Sequence, residues 1–263
     1  VKEWAACLFL AVGRAWAAPA AGVAPADPNG LAWQQHPGAM LPLATSMTNE
    51  AGQAVALRDY FGKIPVILDL GYFHCPSLCG VVRADLFNAL SNSGLTAGRD
   101  YILLAVSIDP AETPTTAAQA RQTDHAQYAA VTGPAFHYLT ATPRAIAAIA
   151  DAVGFRYRYD ARFQQYMHPS GLTILASTGE VNGYLLGVGY TPGDLRAAVL
   201  RAGQGGIAQA ALPVLLLCFH YDPTTGRYTL AIMKLLRLMA LLTVGSVAAL
   251  LLILHRGGRG ARA

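Results

Sequence analysis

Residues 65–80 read P-V-I-L-D-L-G-Y-F-H-C-P-S-L-C-G, and the fold turns on this stretch. Pro65–Leu70 is a short apolar run, as expected of a strand buried on both faces. Residues 76–90 follow, with Val81, Val82, Leu86 and Leu90 at helical spacing. Cys75 and Cys79 therefore stand where a buried strand gives way to a helix. Residues four apart share a helix face, so the two sulfurs point the same way. The positive end of the helix favours the Cys75 thiolate. Two convergent thiolates form a soft site, suited to Cu(I) or zinc. On spacing alone, dithiol exchange and a structural disulfide both stay open.

Downstream, Tyr101–Ile108 (YILLAVSI) reads as a second buried strand. Thr113–Tyr128 is polar, rich in Ala and Gln, and helical. Phe136–Leu139 is a short strand, and Pro143–Val153 a helix with Pro143 suited to its first turn. Phe155–Tyr159 and Leu172–Ala176 are strand-like, residues 177–180 form a turn, and Val181–Leu186 is a further strand. Pro192–Arg201 is helical. Upstream, residues 41–57 look like short strands turning at Asn49–Gly52. The order predicts an α/β sandwich of thioredoxin type.

The chain is 54% hydrophobic and only 13% charged, which points to a membrane segment. Leu238–Leu254 is 17 residues without a charge, about 25 Å as a helix and just enough for a bilayer core. Lys234, Arg237, Arg256, Arg259 and Arg262 flank it without any acid. They account for more than the whole net charge of +4 and leave a nearly neutral body. That distribution speaks for membrane topology and against nucleic acid. The basic tail favours a cytoplasmic C-terminus. Residues 1–18 resemble a secretory leader, with Ala15-Trp16-Ala17 as a cleavage site.

The expected organisation is a signal peptide at 1–18 and a flexible lead-in at 19–39. A single domain follows at 40–205, then a juxtamembrane segment at 206–233. A transmembrane helix at 234–255 and a basic cytoplasmic tail at 256–263 end the chain. The body then lies in the periplasm, tethered by one pass to the bacterial inner membrane.

The run G-Y-F-H-C-P-S-L-C-G resembles the copper motif of the Sco/SenC family, where C-P-x-x-C follows the first core strand of a thioredoxin fold. Residues 107–114, S-I-D-P-A-E-T-P, resemble that family's D-P segment after the next strand. Met167-His168-Pro169 sits where the family places its distal histidine. These landmarks occur in order over residues 40–205. Gly80 departs from the pattern, because many members carry Pro after the second Cys. The resemblance implies that Cys75 and Cys79 are copper thiolates and redox partners, and that His168 is the imidazole ligand. It places Asp109 near the site, to position it or to touch a partner; the alternative is a turn cap at a strand end.

The resemblance further implies a metallochaperone carrying copper as Cu(I), and also Cu(II). The acceptor would be the dinuclear copper site of cytochrome c oxidase subunit II. A periplasmic copper donor or thiol reductant would supply it. The alternative is a periplasmic thiol–disulfide reductase without bound metal. A thiol peroxidase is disfavoured, because residues 70–74 carry neither the Thr nor the Pro that peroxiredoxins place before their Cys. His74 points away from Cys75 if the segment is extended. His36, His125 and His137 read as surface or edge residues. Cys218 and His220 put copper-compatible donors on one strand face before the span. The plainer reading is a buried Cys beside a structural His.

Overall fold

The computed structural model describes residues 30–75, 79–129, 131–208, 210, 221–222, 227–228 and 238–246. Its strands are β1 (Ser46–Thr48), β2 (Ala54–Ala56), β3 (Val66–Gly71), β4 (Ile102–Ser107), β5 (Phe136–Leu139), β6 (Arg158–Asp160), β7 (Gln165–Met167), β8 (Gly171–Leu175), β9 (Val181–Leu186), β10 (Tyr221–Asp222) and β11 (Arg227–Tyr228). Its helices are α1 (Cys79–Ser93), α2 (Pro114–Tyr128), α3 (Pro143–Val153) and α4 (Pro192–Gly203). A central sheet runs β5-β4-β3-β8-β9. β3, β4 and β5 are parallel, β8 runs against β3, and β9 runs against β8 and so along β3. This is the thioredoxin-like arrangement expected from the sequence.

Strand alternation splits β3 between two cores. Val66, Leu68 and Leu70 face α3, joining Ile146, Ile149 and Val153. Ile67 faces the other way, onto Leu86, Phe87 and Leu90 of α1 and Leu195 and Val199 of α4. A strand lined on both faces must be apolar at successive positions, and that is why residues 65–70 read as they do. Val82, Leu86 and Leu90 of α1 are buried as expected, whereas Val81 is 49% exposed and belongs to the outer face.

α2, α3 and α4 each begin Thr-Pro. The Thr113, Thr142 and Thr191 side chains accept from the backbone N–H groups of Thr116, Ala145 and Asp194. The proline at the first turn has no N–H to leave unpaired. α3 ends at Gly154, whose φ is 67°. A Cβ there would lie 1.5 Å from the Gln34 carbonyl oxygen, so only glycine lets the two chains meet.

Three expectations need revision or qualification. The strand expected at Phe155–Tyr159 is instead β6, starting at Arg158. It pairs with β7 in a separate hairpin outside the main sheet. The second half of the lead-in lies against the domain: Leu31 is buried, and Trp33 Nε1 donates to the Ser170 carbonyl at 3.1 Å. At the other end, residues 238–246 are helical. No helix among the described residues is long and apolar enough to cross a membrane. The rest of the expected span, the leader, the basic tail and Cys218 with His220 lie outside the described residues.

Both edges of the sheet are covered in part. At β5, Thr48 and Thr140 exchange backbone hydrogen bonds of 2.8 and 2.9 Å, and Glu50 accepts from Tyr138 N at 3.3 Å. At β9, Gly38 N donates to Val181 O and Val181 N to Ala39 O, both at 2.8 Å. Ala208 N donates to Asn182 O on the same edge.

Candidate metal centre

β3 and β4 end side by side, with Gly71 in register with Ser107. Ile108 N donates to Gly71 O at 2.7 Å, which aligns the two loops that follow. Tyr72 then turns into the α3-side core, while Phe73 turns to the opposite face and meets the Tyr138 ring at 5.2 Å. The chain thus straddles the end of the sheet just before Cys75. Cys75 is half-buried and packs on the core that contains Tyr72. α1 opens at Cys79, inside the 76–90 stretch expected to be helical. Residues 76–78 and the Cys79 side chain lie outside the described residues.

His168 sits between β7 and β8, and it is 5% exposed. Its ring meets Tyr72 edge-on at 6.0 Å and Phe155 at 5.6 Å. Burial pushes the imidazole below its ordinary value, against the raising effect of its bond to Pro169. It is therefore neutral at neutral pH. Nδ1 lies 3.1 Å from the Pro169 carbonyl oxygen and, as the donor, leaves the lone pair on Nε2. His168 also lines a cavity of about 20 Å³ with Asp69, Gly71, Val82 and Arg83. Val82 and Arg83 belong to the first turn after Cys79. The fold thus brings the distal histidine to the end of β3 and the start of α1. Among the described residues, no three His, Cys, Asp or Glu side chains group into a metal site.

Asp109 serves first as a turn cap. Its Oδ1 accepts from Ala111 N at 2.9 Å, and its carbonyl accepts from Glu112 N at 3.1 Å. It also lies close enough to Tyr166 to raise that phenol, after burial itself. Tyr166 in turn meets Tyr72 at 5.8 Å, so Asp109 touches the surroundings of His168 through one ring.

Sequence reasoning missed Glu112, which reaches the motif directly. Its side chain is 4% exposed. Its oxygens accept from Phe73 N at 2.9 Å, His74 N at 2.8 Å and the Ser107 hydroxyl at 2.5 Å. The signal was present as the acid of D-P-A-E-T-P, but nothing in one strand-end loop announces contact with another. The His74 ring points outward, 69% exposed, with Nδ1 3.5 Å from Glu112. The other three histidines among the described residues lie elsewhere, against Ala152, Thr132 and Glu50 respectively for His36, His125 and His137.

Asp69 is the second omission. Strand alternation turns it toward α1, where burial pushes its carboxyl up to about 6, partly offset by Arg83. Arg83 Nε also pairs with Asp124 at 3.1 Å, and Asp124 accepts from the Tyr138 hydroxyl. A charged cluster therefore lies under the first turn of α1.

The comparisons with known proteins agree with this layout. A protein from Aquifex aeolicus VF5 shares 23% identity and superposes with a TM-score of 0.57, covering 65% of this chain and 96% of its own. Arabidopsis thaliana ScoI, crystallised with copper bound, shares 18% identity with a TM-score of 0.51 over 65% of this chain and 99% of its own. BsSco is described as a member of the Sco family of cytochrome c oxidase assembly proteins with a disulfide switch. It shares 19% identity with a TM-score of 0.51, over 65% of this chain and 97% of its own. At these identities the likeness shows the fold. No curated protein matches the chain in sequence. The SCO1/SenC family model, however, matches residues 43–201, from before β1 to within α4 and through the whole of the motif. That is more than half of the chain, and the protein belongs to the SCO1/SenC family.

Proposed function

We propose that this protein is a periplasmic copper metallochaperone, tethered to the inner membrane. Cys75, Cys79 and His168 are its copper ligands, and copper is its cargo. The observation that carries this reading is the neutral, buried His168, held at a cavity shared with the end of β3 and the first turn of α1. A neutral imidazole and two thiolates suit Cu(I), and two sulfur donors four residues apart, the second opening α1, can converge on one ion. Copper-bound ScoI shares the fold, and family membership supports the same cargo. The acceptor is the dinuclear copper site of cytochrome c oxidase subunit II, in line with the oxidase assembly role of BsSco.

Three donors leave Cu(I) open to attack by an incoming ligand, so the ion can pass stepwise to an acceptor. Oxidation of the cysteines to a disulfide removes both thiolates and releases the metal, which couples loading to redox state. A second reading rests on that pair alone. Cys75 would attack a substrate disulfide, and Cys79 would then displace the reduced substrate thiol. Metal analysis of the reduced full-length chain separates the two. The chaperone holds one Cu(I) per chain, lost in Cys75→Ser, Cys79→Ser and His168→Ala. A metal-free chain that reduces disulfides equally well with and without His168 overturns it.

A further inference from the structure

The motif loop is held by an element that is distant in sequence. After β3 the backbone leaves the sheet, and the N–H groups of Phe73 and His74 find no strand partner. Both donate to one carboxylate, Glu112, at 2.9 and 2.8 Å. The Ser107 hydroxyl donates to the same group at 2.5 Å and accepts from Asp109 N at 3.1 Å. Glu112 precedes Thr113, the N-cap of α2, so it is anchored by a helix start. With a side chain 4% exposed, it has little freedom to rearrange. A buried carboxylate facing several donors is a strong, directional acceptor. Cys75 is the next residue after the two clamped amides.

We propose that Glu112 is the positioning residue of the C-x-x-x-C loop: by fixing the Phe73–His74 backbone it sets how Cys75 is presented to Cys79 and to the metal. This rests on the reading of Cys75 and Cys79 as working thiols. Asp109 acts one step back, by holding Ser107 and the turn. Glu50 is the natural comparison. It is a carboxylate that also accepts a backbone N–H, from Tyr138, but at the β5 edge and away from the motif.

The test measures two quantities on the full-length chain in detergent. One is the dithiol–disulfide equilibrium of the metal-free protein against glutathione. The other is Cu(I) affinity by chelator competition. Glu112→Ala is expected to shift the equilibrium constant at least tenfold, ~30 mV for the two-electron couple, and to weaken Cu(I) at least tenfold. Glu112→Gln has a single acceptor oxygen for two amides and shifts both in the same direction by less. Glu50→Ala lowers the melting temperature and moves neither quantity. Should Glu112→Ala fail to fold, Glu112→Gln decides. Values within twofold of the unaltered chain in a folded Glu112 variant overturn the proposal, and so does an equal shift in Glu50→Ala. If the unaltered chain holds no Cu(I), the copper reading falls and the thiol equilibrium alone judges Glu112.

Discussion

The ring of His168 meets that of Tyr72 edge-on, with centroids 6.0 Å apart and planes at 75°. Tyr72 stands three residues before Cys75, so one aromatic side chain ties the distal histidine to the motif strand. Tyr72→Leu keeps the apolar volume and removes that contact, together with the one to Tyr166. It is expected to cost about 1–2 kcal/mol of stability and to weaken Cu(I) several-fold. Chemical denaturation and chelator competition check the two effects.

Two buried groups at the same cavity respond to acid in opposite senses. His168 is held below its ordinary value, so the unfolded chain takes up that proton first. Its contribution to stability is full above about pH 6.5 and is lost as pH falls below that. Asp69 is raised from 3.8 to about 6, so the folded chain takes up its proton first. Its contribution is full below 3.8 and is lost as pH rises through about 6. Between pH 7 and 5 the two contributions therefore oppose each other in the copper-free chain. Asp69→Asn steepens the loss in acid and stabilises the protein at pH 8 by on the order of 2 kcal/mol. His168→Gln gains stability on acidification. Urea denaturation across pH reads all three.

Glycines with the same backbone sign differ in what surrounds them. Gly154 has φ 67° with the Gln34 carbonyl 1.5 Å from an added Cβ, whereas Gly189 has φ 78° with nothing within 4 Å. Gly154→Ala is expected to cost well over 2 kcal/mol, and Gly189→Ala only about 1. Calorimetry of the two variants compares a steric conflict with conformational strain alone.

Asp109→Ala removes the bond to Ala111 N and is expected to cost about 1 kcal/mol. Asp109→Asn, which forms the same turn, restores most of it. Thermal melts of both variants measure the cap by itself.

The parts of the fold that repeat a period were legible in the sequence. β3 and β4 are apolar at successive positions because helices cover both faces, and the Thr-Pro starts mark where α2, α3 and α4 begin. The site was half legible. Cys75 stands out by its spacing to Cys79, whereas His168 was singled out only through the family resemblance. What could not be read is contact between loops. Asp109 stood out as the acid of a D-P pair, yet it caps its own turn, while Glu112 three residues on reaches Phe73 and His74. Asp69 was lost in an apolar run because alternation, visible only once the strand is placed, decides which helix it faces. Of the β6–β7 hairpin, β6 fell partly within the strand read at Phe155–Tyr159, but β7 escaped: Tyr166 packs on Tyr157 and Tyr159, and no apolar period marks residues 165–167 as strand.

The covering of β5 by Thr48 and of β9 by Gly38 and Ala39 restricts how another macromolecule can engage this one. Among the described residues, Val181 and Asn182 of β9 and Tyr138 of β5 already have partners, which narrows recruitment by strand addition at these positions. On the proposed chaperone reading, a client would approach end-on, toward the tips where the parallel strands finish and where Cys75 and His168 lie. The same covering also guards against edge-to-edge self-association at those positions.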